Sequence, residues 1–475
     1  MALPKFVQIP AQSIDRFRPM LGAEFEEIEA VAAKARRDFA GRAIWHVSST
    51  ARGGGVSELL RALLPYVRGA GIDTRWVVLR EPPEFFALTK RIHNLLHGDP
   101  GDGGDLGEPE RRLYEATLAA SGAKLVELCQ PGDIIYLHDP QTAGLVPVMQ
   151  EEGLAVIWRC HVGLDQPNQL VHQAWDFLRG YVEAADAVIF SRRQYAWDGL
   201  DPSRIWTMPP VIDPFSPKNQ ELGNGAVESI LGAIGLGAVV PASAPAYTRG
   251  DGTPGRVERR AELLQEEPLP AGARVVTQVS RWDRLKDPRG LLEMFEQHLD
   301  DPQIHLVLTG PAVGAVADDP EGTVVYGDVA ESWRRMGEGS RRRSHLVSLP
   351  MFDIEENGAM VNAIQRRSDV VVQKSIAEGF GLTVVEAMWK RRAVVASRVG
   401  GIQDQIVDGV SGLLIDDPRD LEGFAAAIRN LLADPARSIS LGEAAHQRAI
   451  DRFLAIFRLR EYVGLVASLI QREDG

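Results

Sequence analysis

The stretch Ser375-Ile376-Ala377-Glu378-Gly379-Phe380-Gly381-Leu382-Thr383-Val384-Val385-Glu386-Ala387-Met388-Trp389-Lys390 decides how the rest of the chain is read. It follows the apolar run Asp369–Val372, which reads as a strand, and passes through two glycines into a helical pattern. Such a turn leaves unpaired amide N–H groups at the positive end of a helix dipole, which suits a phosphate. The amides near Phe380, Gly381 and Leu382 stand where phosphate oxygens would meet them. Glu378, in the loop, can accept hydrogen bonds from sugar hydroxyls, and Glu386, further along, can reach a ribose. The plainer reading of each Glu, an acid favoured near a helix start, stays open at this point.

Two other loops have the same setting. Gln278-Val279-Ser280-Arg281-Trp282-Asp283-Arg284-Leu285-Lys286-Asp287-Pro288 follows the strand pattern Arg274–Val279. Arg281 and Lys286 then lie at the carboxyl edge of a sheet, where α/β folds bind ligands, and together could hold a diphosphate. A solvated basic loop is the alternative. Ser48-Ser49-Thr50-Ala51-Arg52-Gly53-Gly54-Gly55-Val56 joins another strand to another helix. Gly54 and Gly55 allow close approach of a ligand to the backbone, but the loop has neither a Walker lysine nor a full dinucleotide pattern, and a plain tight turn is equally compatible.

Around these loops, short apolar runs alternate with longer amphipathic stretches. Strands are predicted at Ala43–Ser48, Thr74–Leu79, Asp133–Leu137, Leu154–Cys160 and Ala187–Phe190. A second set follows at Arg274–Val279, Ile304–Leu308, His345–Leu349, Asp369–Val372, Ala393–Ala396 and Gly412–Ile415. Two series of βαβ units predict two doubly wound, Rossmann-like domains. Pro209, Pro210, Pro214 and Pro217 make a stiff connector between them. The expected domains are 1–212 and 213–449, with a C-terminal helix of about 450–475 packing back on the first. Ile439–Arg472 reads as helix throughout, and Arg249–Glu258 as irregular.

The chain has 475 residues, with 52 Lys and Arg against 65 Asp and Glu, a net charge of −13. That balance disfavours a non-specific nucleic-acid binder, which needs a basic surface. Cys129 and Cys160 are too few for a disulfide framework, and a cytoplasmic setting is expected. Met1–Phe17 does not read as a signal peptide, and the uncharged stretch Ser229–Thr248 is too rich in Gly, Pro and Ala to be read as a membrane span. No His/Cys cluster has metal-ligand spacing, and Asp318-Asp319 and Asp416-Asp417 read as loop surface. Only eight lysines accompany 44 arginines, which draws notice to Lys286, Lys374 and Lys390.

A Glu-x7-Glu pair in a Gly-Phe-Gly-Leu loop, with Ser280-Arg281…Lys286-Asp287-Pro288 upstream, resembles the retaining glycosyltransferases of the GT-B fold. The resemblance covers essentially the whole chain. Ser49-Thr50…Gly53-Gly54-Gly55-Val56, Gly71–Val78, Phe85-Phe86…Thr89-Lys90…His93-Asn94 and Val372-Gln373-Lys374-Ser375 look like the trehalose glycosyltransferring synthases, whose pattern the trehalose phosphorylases largely share. Ala377 departs from that pattern, which has a basic residue there.

The resemblance implies two Rossmann-like domains with a cleft between them, the first for the acceptor and the second for a nucleotide sugar. It assigns Arg281 and Lys286 to the departing diphosphate, and Glu378 to the donor sugar. Phe380, Gly381, Leu382, Thr383, Gly54 and Gly55 fall on the donor side, and Glu386 at the ribose. His161, after Leu154–Cys160, matches the family's active-site His facing the donor sugar. His138 and Asp165 fall on the acceptor side; His138 could equally brace a loop, and His46 reads as structural. The Phe85–Asn94 segment suits either a sugar or packing.

The implied reaction transfers glucose from UDP-, ADP- or GDP-glucose to glucose, with front-face attack and domain closure to exclude water. A phosphorylase, another small acceptor such as glycerate, or a non-catalytic sugar- or nucleotide-binding protein are the alternatives. No essential cofactor is implied; Mg²⁺ accompanying the nucleotide and a homodimer are both compatible, and neither nucleic acid nor a membrane is an expected partner.

Overall fold

A computed structural model of the chain describes residues 4–52, 54–313 and 321–473; Gly53, Asp318 and Asp319 lie outside the described residues. The chain forms two compact units: Met1–Val211 with Ala455–Gly475, and Ile212–Leu454.

The N-terminal unit is built on seven strands: β1 (Lys5–Val7), β2 (Ile44–Ser48), β3 (Thr74–Val78), β4 (Ile134–His138), β5 (Ala155–Cys160), β6 (Ala187–Phe190) and β7 (Ile205–Thr207). Their order is β1-β3-β2-β4-β5-β6-β7, parallel except for β1. Residues of β2, β4 and β5 are buried on both faces, as covered parallel strands must be. One face is apolar, with Trp45, Val47, Ile135, Leu137, Trp158 and Cys160 in a single cluster. The opposite face carries His46, Tyr136 and His138, over which the final helix, Ala455–Glu473, brings Tyr462.

The C-terminal unit adds β8 (Ala246–Thr248), β9 (Pro254–Arg256), β10 (Glu262–Leu264), β11 (Arg274–Val279), β12 (Ile304–Pro311), β13 (Ser344–Leu349), β14 (Val370–Gln373), β15 (Ala393–Ser397) and β16 (Leu413–Ile415). Its main sheet runs β10-β13-β12-β11-β14-β15-β16, with only β10 antiparallel. In both units the winding reverses beside the first central strand, between β2 and β4 and between β11 and β14. Ligands of doubly wound sheets bind at the carboxyl end of such a switch point.

Two expectations are corrected. Arg249–Glu258 is not irregular: Pro254–Arg256 forms β9, paired with β8 in a short hairpin. Arg249 ties the hairpin to Asp353 and Glu355, a long-range anchor that no local pattern reveals. The helix expected from Ile439 to Arg472 is two helices, Pro435–Arg452 and Ala455–Glu473. They part at Phe453 and Leu454, which are buried, and Phe453 O accepts a hydrogen bond from Ile212 N at 2.9 Å. Burial and strand-like pairing there outweigh helical periodicity. Among the described residues no helix is long and apolar enough to cross a membrane, and no group of three or more His, Cys, Asp or Glu could hold a metal ion.

Candidate active site

At the β11/β14 switch point the loops following the two strands are bound to each other. Ile376 N donates to Leu285 O at 2.7 Å, Gln278 Nε2 donates to Lys286 O at 2.8 Å, and Gln278 Oε1 accepts from Lys374 N at 2.9 Å. Lys374 is fully buried and pairs with Asp287, whose own carboxylate caps the helix Pro288–His298. This frame brings Lys286 and Glu378 together, with Nζ 2.8 Å from Oε1.

The other Glu378 oxygen accepts from Ser375 Oγ at 3.2 Å, Ser375 Oγ accepts from Gln373 Nε2 at 3.0 Å, and Thr383 Oγ1 donates to Gln373 Oε1 at 3.0 Å. The row orients the Glu378 carboxylate within the loop. Thr383, expected on the donor, thus also braces the loop. Arg281 lies in the same loop as Lys286, its guanidinium 3.7 Å from the buried Asp283 carboxylate.

The helix Leu382–Trp389 begins at Gly381, whose φ of +87° lies in the left-handed region where glycine costs least. Phe380 packs its ring on Phe453, and its carbonyl accepts from Gln405 Nε2. Gly401 backs the loop so closely that a Cβ there would stand 2.6 Å from Phe380 Cα. Glu386, expected at a ribose, is 1% exposed and forms an ion pair at 2.8 Å with Lys218, a residue the sequence reading did not single out. Its signal was the scarcity of lysine and its place directly after the proline-rich connector. Lys390 is also buried: its Nζ donates to Asn219 Oδ1 at 2.9 Å, and burial pushes the ammonium well below its ordinary pKa. Lys218 and Asn219, directly after the connector, are therefore fastened to the helix Leu382–Trp389 and its end through Glu386 and Lys390.

In the N-terminal unit the glycine loop opens the helix Gly55–Gly69. Gly54 has φ +99°, and among the described residues beyond its chain neighbours nothing lies within 4 Å of a Cβ built at Gly54 or Gly55. His161 follows β5, and its N–H donates to Asp139 Oδ1 at 2.7 Å. Asp139 holds a left-handed φ of 62°, a strained conformation for a non-glycine residue. His161 is half-buried, with Nδ1 3.4 Å from Ser191 Oγ and its ring stacked on His138. Burial, with the Arg159 guanidinium beside it, pushes the His161 pKa well below its usual value, so the ring is neutral at pH 7.

His138 is buried behind His161 and bonded to His46, and its carbonyl accepts from Thr142 Oγ1. Asp165 pairs with the buried Arg192. Phe85 and Phe86 are buried, Phe85 stacking on Tyr114, which assigns these two rings to packing.

Residues 46–197 match the family described as trehalose synthase, N-terminal domain, and residues 352–448 match glycosyl transferases group 1. Arg281 and Lys286 fall between the two matches. The chain is 34% identical over 460 residues to the trehalose synthase of Pyrococcus horikoshii, covering 96% of this chain and 97% of that protein. It is 34% identical over 453 residues to the trehalose synthase of Rubrobacter xylanophilus, covering 94% of each. Among solved structures, an alpha,alpha-trehalose-phosphate synthase (UDP-forming) from Burkholderia vietnamiensis aligns with a TM-score of 0.65 at 15% identity, over 90% of this chain and 100% of that one. The fold is that of the GT-B glycosyltransferases.

Proposed function

The chain belongs to the trehalose synthase family of GT-B glycosyltransferases, and on that premise we propose that it transfers glucose from a nucleotide-glucose to free glucose, with retention at the anomeric carbon, to form trehalose. One observation carries this reading. At a single switch point the fold gathers two cations (Arg281 and Lys286), an oriented carboxylate (Glu378) and a helix start (Leu382). That set matches a sugar diphosphate: cations and amides for the phosphates, a carboxylate for sugar hydroxyls.

In this reading Lys286 and Arg281 stabilise charge as the anomeric carbon–oxygen bond breaks, and the amides at Gly381–Leu382 share it. Glu378 holds the glucosyl hydroxyls. Two carboxylates flanking the bond would mark double displacement; Glu378 instead pairs with Lys286, and Glu386 pairs with Lys218 one helix turn or more away. The arrangement favours front-face attack, in which the acceptor hydroxyl gives its proton to the leaving diphosphate oxygen. His161, a neutral ring at the carboxyl end of β5, adds no charge to that site.

The test is product analysis with UDP-, ADP- and GDP-glucose, each with glucose as acceptor. The expected product is α,α-linked trehalose, identified by NMR of its anomeric protons. Absence of disaccharide from all three donors would overturn the reading, and trehalose from glucose 1-phosphate and glucose, with release of inorganic phosphate and no nucleotide, would replace it with a phosphorylase.

A further inference from the structure

On the face of the N-terminal sheet opposite its apolar core, five rings stand in a row. Tyr462 from the final helix stacks on Tyr136 of β4, with centroids 5.1 Å apart and planes at 11°. His46 of β2, the strand partner of Tyr136, lies 4.7 Å from it at 18°. His138 follows at 5.4 Å from His46, and His161 at 5.9 Å from His138 with planes at 13°. Sheet geometry explains the alignment, since Tyr136 and His138 alternate onto one face of β4 and His46 pairs across from them.

Hydrogen bonds run along the first part of the row. Tyr462 Oη lies 3.0 Å from His46 Nε2, and His46 Nδ1 lies 3.1 Å from His138 Nε2. If the Tyr462 hydroxyl donates, His46 carries its proton on Nδ1, donates to His138 Nε2, and His138 is protonated on Nδ1. If the order reverses, every proton moves to the opposite nitrogen. Either way the direction of the phenol's hydrogen bond and the tautomers of both rings are coupled. His138 Nδ1 and His161 Nε2 are buried without a hydrogen-bond partner among the described residues. Rings whose edges are unsatisfied in the interior need their orientation fixed by other contacts.

We propose that Tyr462 and His46 are positioning residues for His161: their hydrogen-bonded row fixes the ring of His138, the surface against which the His161 imidazole is held. The C-terminal helix thereby contributes, through Tyr462, to the surroundings of His161. The inference rests on reading His161 as a residue of the transfer site.

The test is Tyr462→Phe in the full-length chain, which keeps the ring and its stacking and removes one hydroxyl. With the nucleotide-glucose the parent uses, kcat is expected to fall roughly tenfold to a hundredfold, as for a slight misplacement of a reacting group. KM for donor and glucose should stay within about twofold and the thermal midpoint within a few degrees. Long-range ¹H–¹⁵N spectra of the histidine rings should show the His46 and His138 signals shifting and the His161 signals moving with them. Unchanged kcat, or unmoved His161 signals, would overturn the proposal. If the parent makes no product from any nucleotide-glucose, the functional reading fails, whereas the His161 signals still decide whether Tyr462 positions that ring.

Discussion

Lys286 Nζ stands 2.8 Å from Glu378 Oε1, joining the loop after β11 to the loop after β14. Both side chains are largely shielded, at 13% and 11% exposure, so the pair is not a solvated surface contact. On the proposed function, the cation assigned to the diphosphate and the carboxylate assigned to the sugar are thereby held in register.

Lys286→Ala should lower kcat/KM for nucleotide-glucose and glucose by about 10²–10³, the usual effect of removing one preorganised charge-stabilising group. Steady-state kinetics check this, and near-normal kcat would show that Lys286 does not meet the leaving group. Glu378→Gln should instead act mainly on the donor, by weakening its grip on sugar hydroxyls while leaving Lys286 without its anionic partner.

Lys218→Met should be costly for stability and donor binding alike. Removing one member of a buried ion pair leaves the other charge poorly solvated; here the cost is about 2–3 kcal/mol, since Lys218 keeps some contact with water. Urea unfolding of the variant, and of the Lys218→Met, Glu386→Gln double variant, checks it. The double variant should be the more stable of the two, because no buried carboxylate then lacks its cation.

Gly401→Ala should reduce activity more than stability. The added Cβ would meet Phe380 Cα at 2.6 Å and Gly379 O at 2.8 Å, so the site loop must shift. A displacement of that order typically costs tenfold or more in rate, roughly up to 10². Kinetics alongside thermal unfolding separate the two effects; a variant of normal kcat/KM would mean that this loop's backbone does not contact substrate.

Acid should destabilise the protein through histidines buried neutral, His46, His305 and His345 among them. Burial lowers His46 to about 3, His345 to about 3 and His305 to about 4. Between pH 6.5 and about 4 the unfolded chain binds these protons and the native one does not, so stability falls as pH falls through that window. Each histidine contributes a slope of about 1.4 kcal/mol per pH unit. Urea midpoints between pH 7 and pH 5 should show the decline, and His345→Gln should make it shallower. A slope that His345→Gln leaves unchanged would show that His345 takes no part in the decline.

The predicted strands that build both sheets correspond closely to observed ones, because buried parallel strands are written as continuous Val- and Ile-rich runs. Arg281, Lys286 and Glu378 were legible too, since strand-to-helix loops fix what stands at a carboxyl edge. The Lys218–Glu386 pair, the Arg249 anchor and the break at Phe453–Leu454 were not, because each joins segments distant along the chain.

The stretch Ser375 to Lys390 determined by itself that a glycine-containing turn leads into a helix and that Glu378 lies in that turn. Local spacing suffices for this, because glycine conformation and helix periodicity are properties of neighbouring residues. Only the tertiary structure decided what each charge faces: Lys286 on Glu378, Lys374 on Asp287, Lys390 on Asn219 and Tyr462 on His46. Those pairings are set by the strand order of each sheet and by the return of the last helix, which follow from burying whole faces rather than from any short run of sequence.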